Sequence, residues 1–154
     1  DIAVDIDIGF VKKSELAQFG SHEAVEEKLR WIKNHIGESA YEQATANIVL
    51  TKKVLKQGNA YKKTEHGGLG GIGVENWILA NKGNITEAFR SFLEAAYENG
   101  QKVPLEKFKR KYKILNPGVN LKKLFHDNYT EHLSENGYEN MIKTTQGYLG
   151  KEGQ

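Results

Sequence analysis

Residues 39–59, SAYEQATANIVLTKKVLKQGN, decide the architecture. Tyr41, Ala44, Ile48 and Leu55 recur on one stripe at helical spacing, with Thr51 and Lys52 on the same side. Ser39 followed by Glu42 reads as a capping box that opens this helix, and Gly58-Asn59 closes it. Such a stripe needs partners, and the sequence on both sides supplies them. Upstream, Val25, Leu29, Ile32 and Ile36 predict a helix over about 23–36, stopped by Gly37. Downstream, a short helix around Val74–Leu79 carries Trp77 and Ile78 inward. Asn84 or Thr86 then caps a helix bearing Ile85, Phe89, Phe92, Leu93 and Ala96 on one face. Pro104 suits the first turn of a short basic helix. Tyr112–Leu115 reads as a short apolar strand before the turn Asn116-Pro117-Gly118, and a last helix over about 136–148 turns Tyr138, Met141, Ile142 and Thr145 inward.

Only the start of the chain departs from this period. Residues 1–11, DIAVDIDIGFV, alternate, with Ile2, Val4, Ile6 and Ile8 on one side and Asp1, Ala3, Asp5 and Asp7 on the other. That is a half-buried strand. The expected fold class is therefore α+β, mostly α: the short edge of a β-sheet (1–20) followed by a helical body (21–154) with a short strand near 112–116. A chain that opens inside a strand reads as a piece of a longer protein.

Composition bounds the chemistry. The 154 residues suffice for one domain with a core of its own. Lys and Arg number 22 against 20 Asp and Glu, and this net charge of +2 is too mild to imply a nucleic-acid partner by itself. No cysteine is present, which removes disulfides, thiolate metal sites and cysteine nucleophiles and is compatible with a reducing, cytoplasmic setting. No apolar run approaches the roughly 20 residues that span a bilayer, so no membrane association is expected.

Five features could carry function, and each has a plain reading beside the sharp one. Gly68–Gly73 satisfies G-x-G-x-x-G literally, but Lys62-Lys63-Thr64-Glu65-His66 before it is no buried strand, so the dinucleotide reading fails. The glycines make either a flexible connector or a loop that lets backbone come close to a nucleotide or a neighbouring segment. His126 and His132 lie six apart and His22, His35 and His66 stand alone, spacings that do not suit zinc. Asp5 and Asp7 are either carboxylates that discourage edge pairing or ligands for Mg²⁺ on a rigid strand. Lys107, Lys109, Arg110 and Lys111 form either a solvated face or a track for an RNA backbone, and Lys52 is by spacing alone a snorkelling helix lysine.

Taken in order, several blocks resemble the archaeal-type CCA-adding enzymes and poly(A) polymerases, members of the DNA-polymerase-β-like nucleotidyltransferase superfamily. LTKKVLKQGNAY (Leu50–Tyr61) is similar to that family's L-L-K-x-F-L-K-x-x-G-x-Y. GLGGIGVENWIL (Gly68–Leu79) is similar to G-F-S-G-Y-x-x-E-L-L-I, with Glu75 at the matching place. Lys82-Gly83-Asn84-Ile85 stands where the family has Y-G-S-F, VDID (Val4–Asp7) resembles the strand of the third catalytic carboxylate, and ILNPGVNL (Ile114–Leu121) resembles I-x-D-P-x-x-x-x-N. Gly70 replaces the motif serine and Asn116 the aspartate before proline.

This resemblance implies a core seen from the third catalytic carboxylate onward. Asp5, with Asp7, would bind Mg²⁺ and activate an acceptor hydroxyl. Lys52, Lys56 and Tyr61 would hold the NTP triphosphate, with Gly68, Gly70 and Gly71 bringing the next helix close to it. The expected reaction moves a nucleoside monophosphate from an NTP to an RNA 3′ end or another nucleotide hydroxyl. The Gly-Ser loop and paired carboxylates that should precede Asp5 are not in the chain, so a second polypeptide would supply them or the chain is catalytically incomplete. The alternative expectation is a non-catalytic helical module that binds RNA or protein.

Overall fold

In the computed structural model, residues 21–62, 67–115 and 128–152 are described. The acidic strand expected over 1–11, with Asp5 and Asp7, lies outside them, as do His66, His126 and the turn at 116–118.

Helix α1 (Ser21–His35) and helix α2 (Glu38–Gln57) form a hairpin across Ile36-Gly37. Gly37 takes φ 135°, a conformation closed to residues with a side chain, and is itself the residue that caps α2. This overturns the capping box: Ser39 lies inside the first turn, and no side chain caps the helix. A connection this short leaves no room for a separate capping residue. As expected, α2 buries Ala44, Ile48, Thr51 and Leu55 and ends at Gly58. Val25 of α1, Ala44 of α2 and Leu79 pack as a small cluster with Leu29 and Ile32.

Helix α3 (Gly71–Ala80) starts three residues earlier than the apolar pattern indicates, inside the glycine-rich stretch. Helix α4 (Ile85–Ala96) is capped by Asn84, whose side chain accepts the Glu87 N–H at 2.9 Å. A two-stranded antiparallel hairpin follows, β1 (Tyr97–Glu98) and β2 (Gln101–Lys102), turned by Asn99 and Gly100 at φ 52° and 79°. Both turn residues in the left-handed region are what a two-residue Asn-Gly hairpin turn requires. The hairpin escaped the sequence reading because its flanks are two residues long and too polar to alternate.

Helix α5 (Leu105–Lys111) has Pro104 as its cap, just outside the first turn. The strand expected near 112–116 makes no sheet over residues 112–115. Instead Ile114 is buried and pinned by Asn128, whose Oδ1 accepts the Ile114 N–H at 3.1 Å, while the Ile114 carbonyl accepts from Tyr129. A 3-10 turn (Tyr129–His132) leads into helix α6 (Glu135–Glu152), which buries Tyr138, Met141, Ile142 and Thr145 as expected. The fold is thus α+β and mostly α. Among the described residues no helix is long and apolar enough to cross a membrane.

The main core centres on Trp77, fully buried between Phe89, 5.4 Å away and stacked, and Phe92, 5.9 Å away and edge-on. Its indole N–H donates to the Tyr112 hydroxyl at 2.9 Å. An indole N–H can only donate, so the Tyr112 hydroxyl donates onward to Ser91 Oγ, 2.5 Å away, and Ser91 donates to the Ala88 carbonyl at 2.9 Å. Burial pushes the Tyr112 phenol above its ordinary pKa of 10.0, against the opposing effect of its hydrogen bonding with Ser91, Trp77 and Asn81. This relay ties α3, α4 and the segment after α5 together. Replacing Tyr112→Phe orphans the indole N–H in the interior, and we expect a loss of about 1–3 kcal/mol in urea unfolding. Ser91→Ala should cost less, because Tyr112 then still satisfies Trp77.

Candidate functional site

The glycine-rich stretch splits into two parts with different work. In the first, Gly67 adopts φ +64° and its carbonyl accepts the Ser134 N–H at 3.0 Å. A methyl group at Gly68 would stand 1.9 Å from the Ala60 carbonyl oxygen, and one at Gly137 of α6 1.9 Å from the Gly67 carbonyl oxygen. Leu69 pairs with the backbone of Ala60–Lys62, its N–H donating to Ala60 at 3.1 Å and its carbonyl accepting from Lys62 at 2.8 Å. These glycines therefore serve close backbone approach, and Gly68, expected to bind nucleotide, is buried against Ala60 as a packing residue.

The second part is open. A methyl group at Gly70 would meet nothing within 4 Å. One at Gly71 would stand nearest to the Tyr61 hydroxyl, at 3.2 Å, and to the end of Lys52, with Nζ at 3.7 Å. Three of the expected residues, Lys52, Tyr61 and Gly71, thus converge on the first turn of α3. That turn has no side-chain cap and no acidic residue, and its ladder starts with the Val74 N–H on the Gly70 carbonyl at 3.0 Å. The N–H groups before Val74 are the donors that a helix end leaves over, and they carry the positive end of its dipole. Lys56 sits one turn beyond Lys52 on the same flank of α2 and is exposed.

Lys52 also has a partner that helical spacing does not reveal. Its ammonium donates to Glu75 Oε2 at 2.8 Å, with the two side chains 30% and 15% exposed. Glu75 lies one turn into α3 from Gly71, beneath the lysine. An ammonium has three donors, so this pair fixes where Lys52 stands beside Gly71 while leaving it further hydrogens. Only the quoted motif, in which Glu75 had a matching place, marked this residue beforehand.

The basic helix fares differently. Lys107 and Lys111 both reach back to Glu98, at 2.8 and 2.9 Å. Lys109 donates to the Glu131 carbonyl at 3.1 Å and stands 3.9 Å from Glu106. Three of the four cations proposed for an RNA backbone are thus held by acceptors of this chain, and Arg110 is exposed. The hydrogen bonds from Lys107 and then Lys111 hold the Glu98 carboxyl at about 2, below its ordinary 4.5. Among the described residues no group of three or more His, Asp or Glu side chains is placed to hold a metal ion. Asp5 and Asp7, the expected Mg²⁺ ligands, lie outside those residues. Comparison of the chain with protein-family models, with curated proteins and with solved structures finds no match.

Two outcomes follow from this geometry. Gly68→Ala and Gly137→Ala each force a methyl group into a backbone carbonyl, and we expect a loss of about 1–3 kcal/mol by chemical denaturation, whereas Gly70→Ala should leave the unfolding midpoint nearly unchanged. A carboxyl titrating lower in the folded than in the unfolded chain stabilises the fold above the unfolded value, and that contribution fades as pH falls. For Glu98 it is complete above 4.5 and gone below about 2. Carboxyl NMR should place the Glu98 midpoint near 2, rising toward 4.5 in Lys107→Ala/Lys111→Ala.

Proposed function

We propose that this chain is the C-terminal part of a nucleotidyltransferase, which transfers a nucleoside monophosphate from an NTP to an RNA 3′ end or another nucleotide hydroxyl. The observation that supports it is the meeting of Lys52 Nζ and the Tyr61 hydroxyl in front of Gly71, at an uncapped helix start. An uncapped helix N-terminus offers backbone N–H groups and positive potential to an anion. Lys52 adds a full charge and Tyr61 a neutral donor, so the ensemble suits a polyphosphate. Glu75 acts as a positioning residue, keeping the ammonium at the helix mouth when no nucleotide is there.

During phosphoryl transfer negative charge grows on the phosphate oxygens, and donors already in place stabilise it without reorganisation. In this reading Lys52 and Tyr61 grip the triphosphate and hold it in line, while the rigid approach of Gly68 to Ala60 keeps the helix start at a fixed distance from both. Mg²⁺, held by Asp5, Asp7 and carboxylates from outside this chain, would neutralise further phosphate charge.

The test is direct binding of tripolyphosphate and ATP to the full chain by calorimetry. Wild type should bind both. Lys52→Ala should weaken both by about tenfold, the size of one charge-assisted contact, and Tyr61→Phe by a few fold, with thermal stability preserved in both variants. Failure of the wild-type chain to bind either polyphosphate would dismiss the reading.

A further inference from the structure

A second charged feature lies on the other flank of α2. Val54, Gln57 and Gly58 face Asn140, Lys143, Thr144, Gly147, Tyr148 and Lys151 of α6 across a cleft of about 360 Å³. Lys52 and Val54 are two residues, about 200°, apart around α2, so this cleft and the Lys52 site open on opposite sides of the helix.

Four observations bear on what it takes. Among the described residues no carboxylate lines the cleft, and Glu139, one turn before Lys143 and within reach of its charge, is itself bound by Lys102. Lys143 and Lys151 make no ion pair with any described residue, in contrast to Lys102, Lys107 and Lys111, each of which meets a glutamate. Three of the last four carbonyls of α2, which could repel an anion, are already engaged: Val54, Leu55 and Lys56 accept from Gly58, Ala60 and Asn59. Gly147 sits inside α6, where glycine costs about 1 kcal/mol relative to alanine, yet a methyl group there would meet nothing within 4 Å. Packing therefore does not explain this glycine, any more than Gly150 of the same helix, and at 147 the missing side chain leaves the cleft wall open.

Lys143 and Lys151 are eight residues apart, about 12 Å along the helix, so they mark two contacts spaced along a groove rather than one socket. Tyr148, held edge-on against Phe89 at 5.1 Å, supplies an aromatic wall between them. Spaced cations, an aromatic ring and open backbone are the combination that holds a single strand by its phosphates and bases. We infer that this cleft is a groove for single-stranded RNA, and that it, rather than the Glu98-bound helix α5, is the RNA-contacting surface of the chain.

The experiment is fluorescence anisotropy of a labelled oligouridine of about 12 nucleotides with the full chain, across a salt series. Wild type should bind at low salt, its affinity falling with a log–log slope of about −1.4, the value for two phosphate contacts on a single strand. Lys143→Glu/Lys151→Glu should lower affinity by about tenfold or more, while Lys107→Glu/Lys111→Glu leaves it within about twofold. Gly147→Leu should fill that opening, keep or raise the melting temperature, and weaken binding. The inference is overturned if wild type does not bind, if the α5 variant loses as much affinity as the α6 variant, or if Gly147→Leu binds normally. It is equally overturned if millimolar inorganic phosphate, at matched ionic strength, displaces the strand, since the cleft would then hold a small anion. None of these outcomes touches polyphosphate binding at Lys52, so the two sites stand or fall separately.

Discussion

The constraint on which the rest of this structure depends is a stack of backbone against backbone. Gly137 at the start of α6 rests on the Gly67 carbonyl, and Gly68 rests on the Ala60 carbonyl just beyond the end of α2. The start of α6 thereby stacks on two stretches, Gly67-Gly68 and through it Ala60, that are close to each other in sequence and far from it, with no side chain between them. Close packing resists compression, so the distance between the end of α2 and the start of α3 is set by these contacts. That distance decides that Tyr61 and Lys52 can stand together before Gly71. Around this clasp the aromatic core adds orientation, because the relay from Trp77 through Tyr112 to Ser91 holds α3 against α4 by directed hydrogen bonds as well as by burial.

Charge is distributed over the surface in a way that bears on function. On α5 the lysines are paired: Glu98, displayed by the hairpin, collects Lys107 and Lys111, leaving that face poorly suited to phosphates. Exposed pairs of this kind contribute little to stability, so their consequence is mainly to neutralise a face that looked cationic in the sequence. The cations of α6, Lys143 and Lys151, make no ion pair with a described residue, although Glu139, held by Lys102, lies close enough to Lys143 to feel its charge. Lys52 falls between these cases, paired with Glu75 and still beside the open start of α3.

Helix content, the inward faces of α2, α4 and α6, and the ends at Gly37, Gly58 and Asn84 were legible from the chain, because apolar period and backbone-permissive residues act over a few positions. The grouping of Lys52 with Tyr61 could be anticipated only from the ordered motif, since nine residues and a helix end separate them. Which glycines are structural could not be read at all. Gly68 and Gly70 are identical as letters, yet one touches a carbonyl and the other open space.

What the sequence determined by itself was local: amphipathic helices, a glycine-rich break before α3, and the candidate residues Lys52 and Tyr61. What only the tertiary structure decided was which charges meet. Glu75 lies 23 residues from Lys52 and Lys107 nine from Glu98, while the faces of α2 and α6 that flank the basic cleft are more than eighty residues apart. The physical reason is range. Helical period and turn chemistry act between near neighbours, whereas an ion pair or a groove exists only after packing has brought distant segments to within a few ångströms.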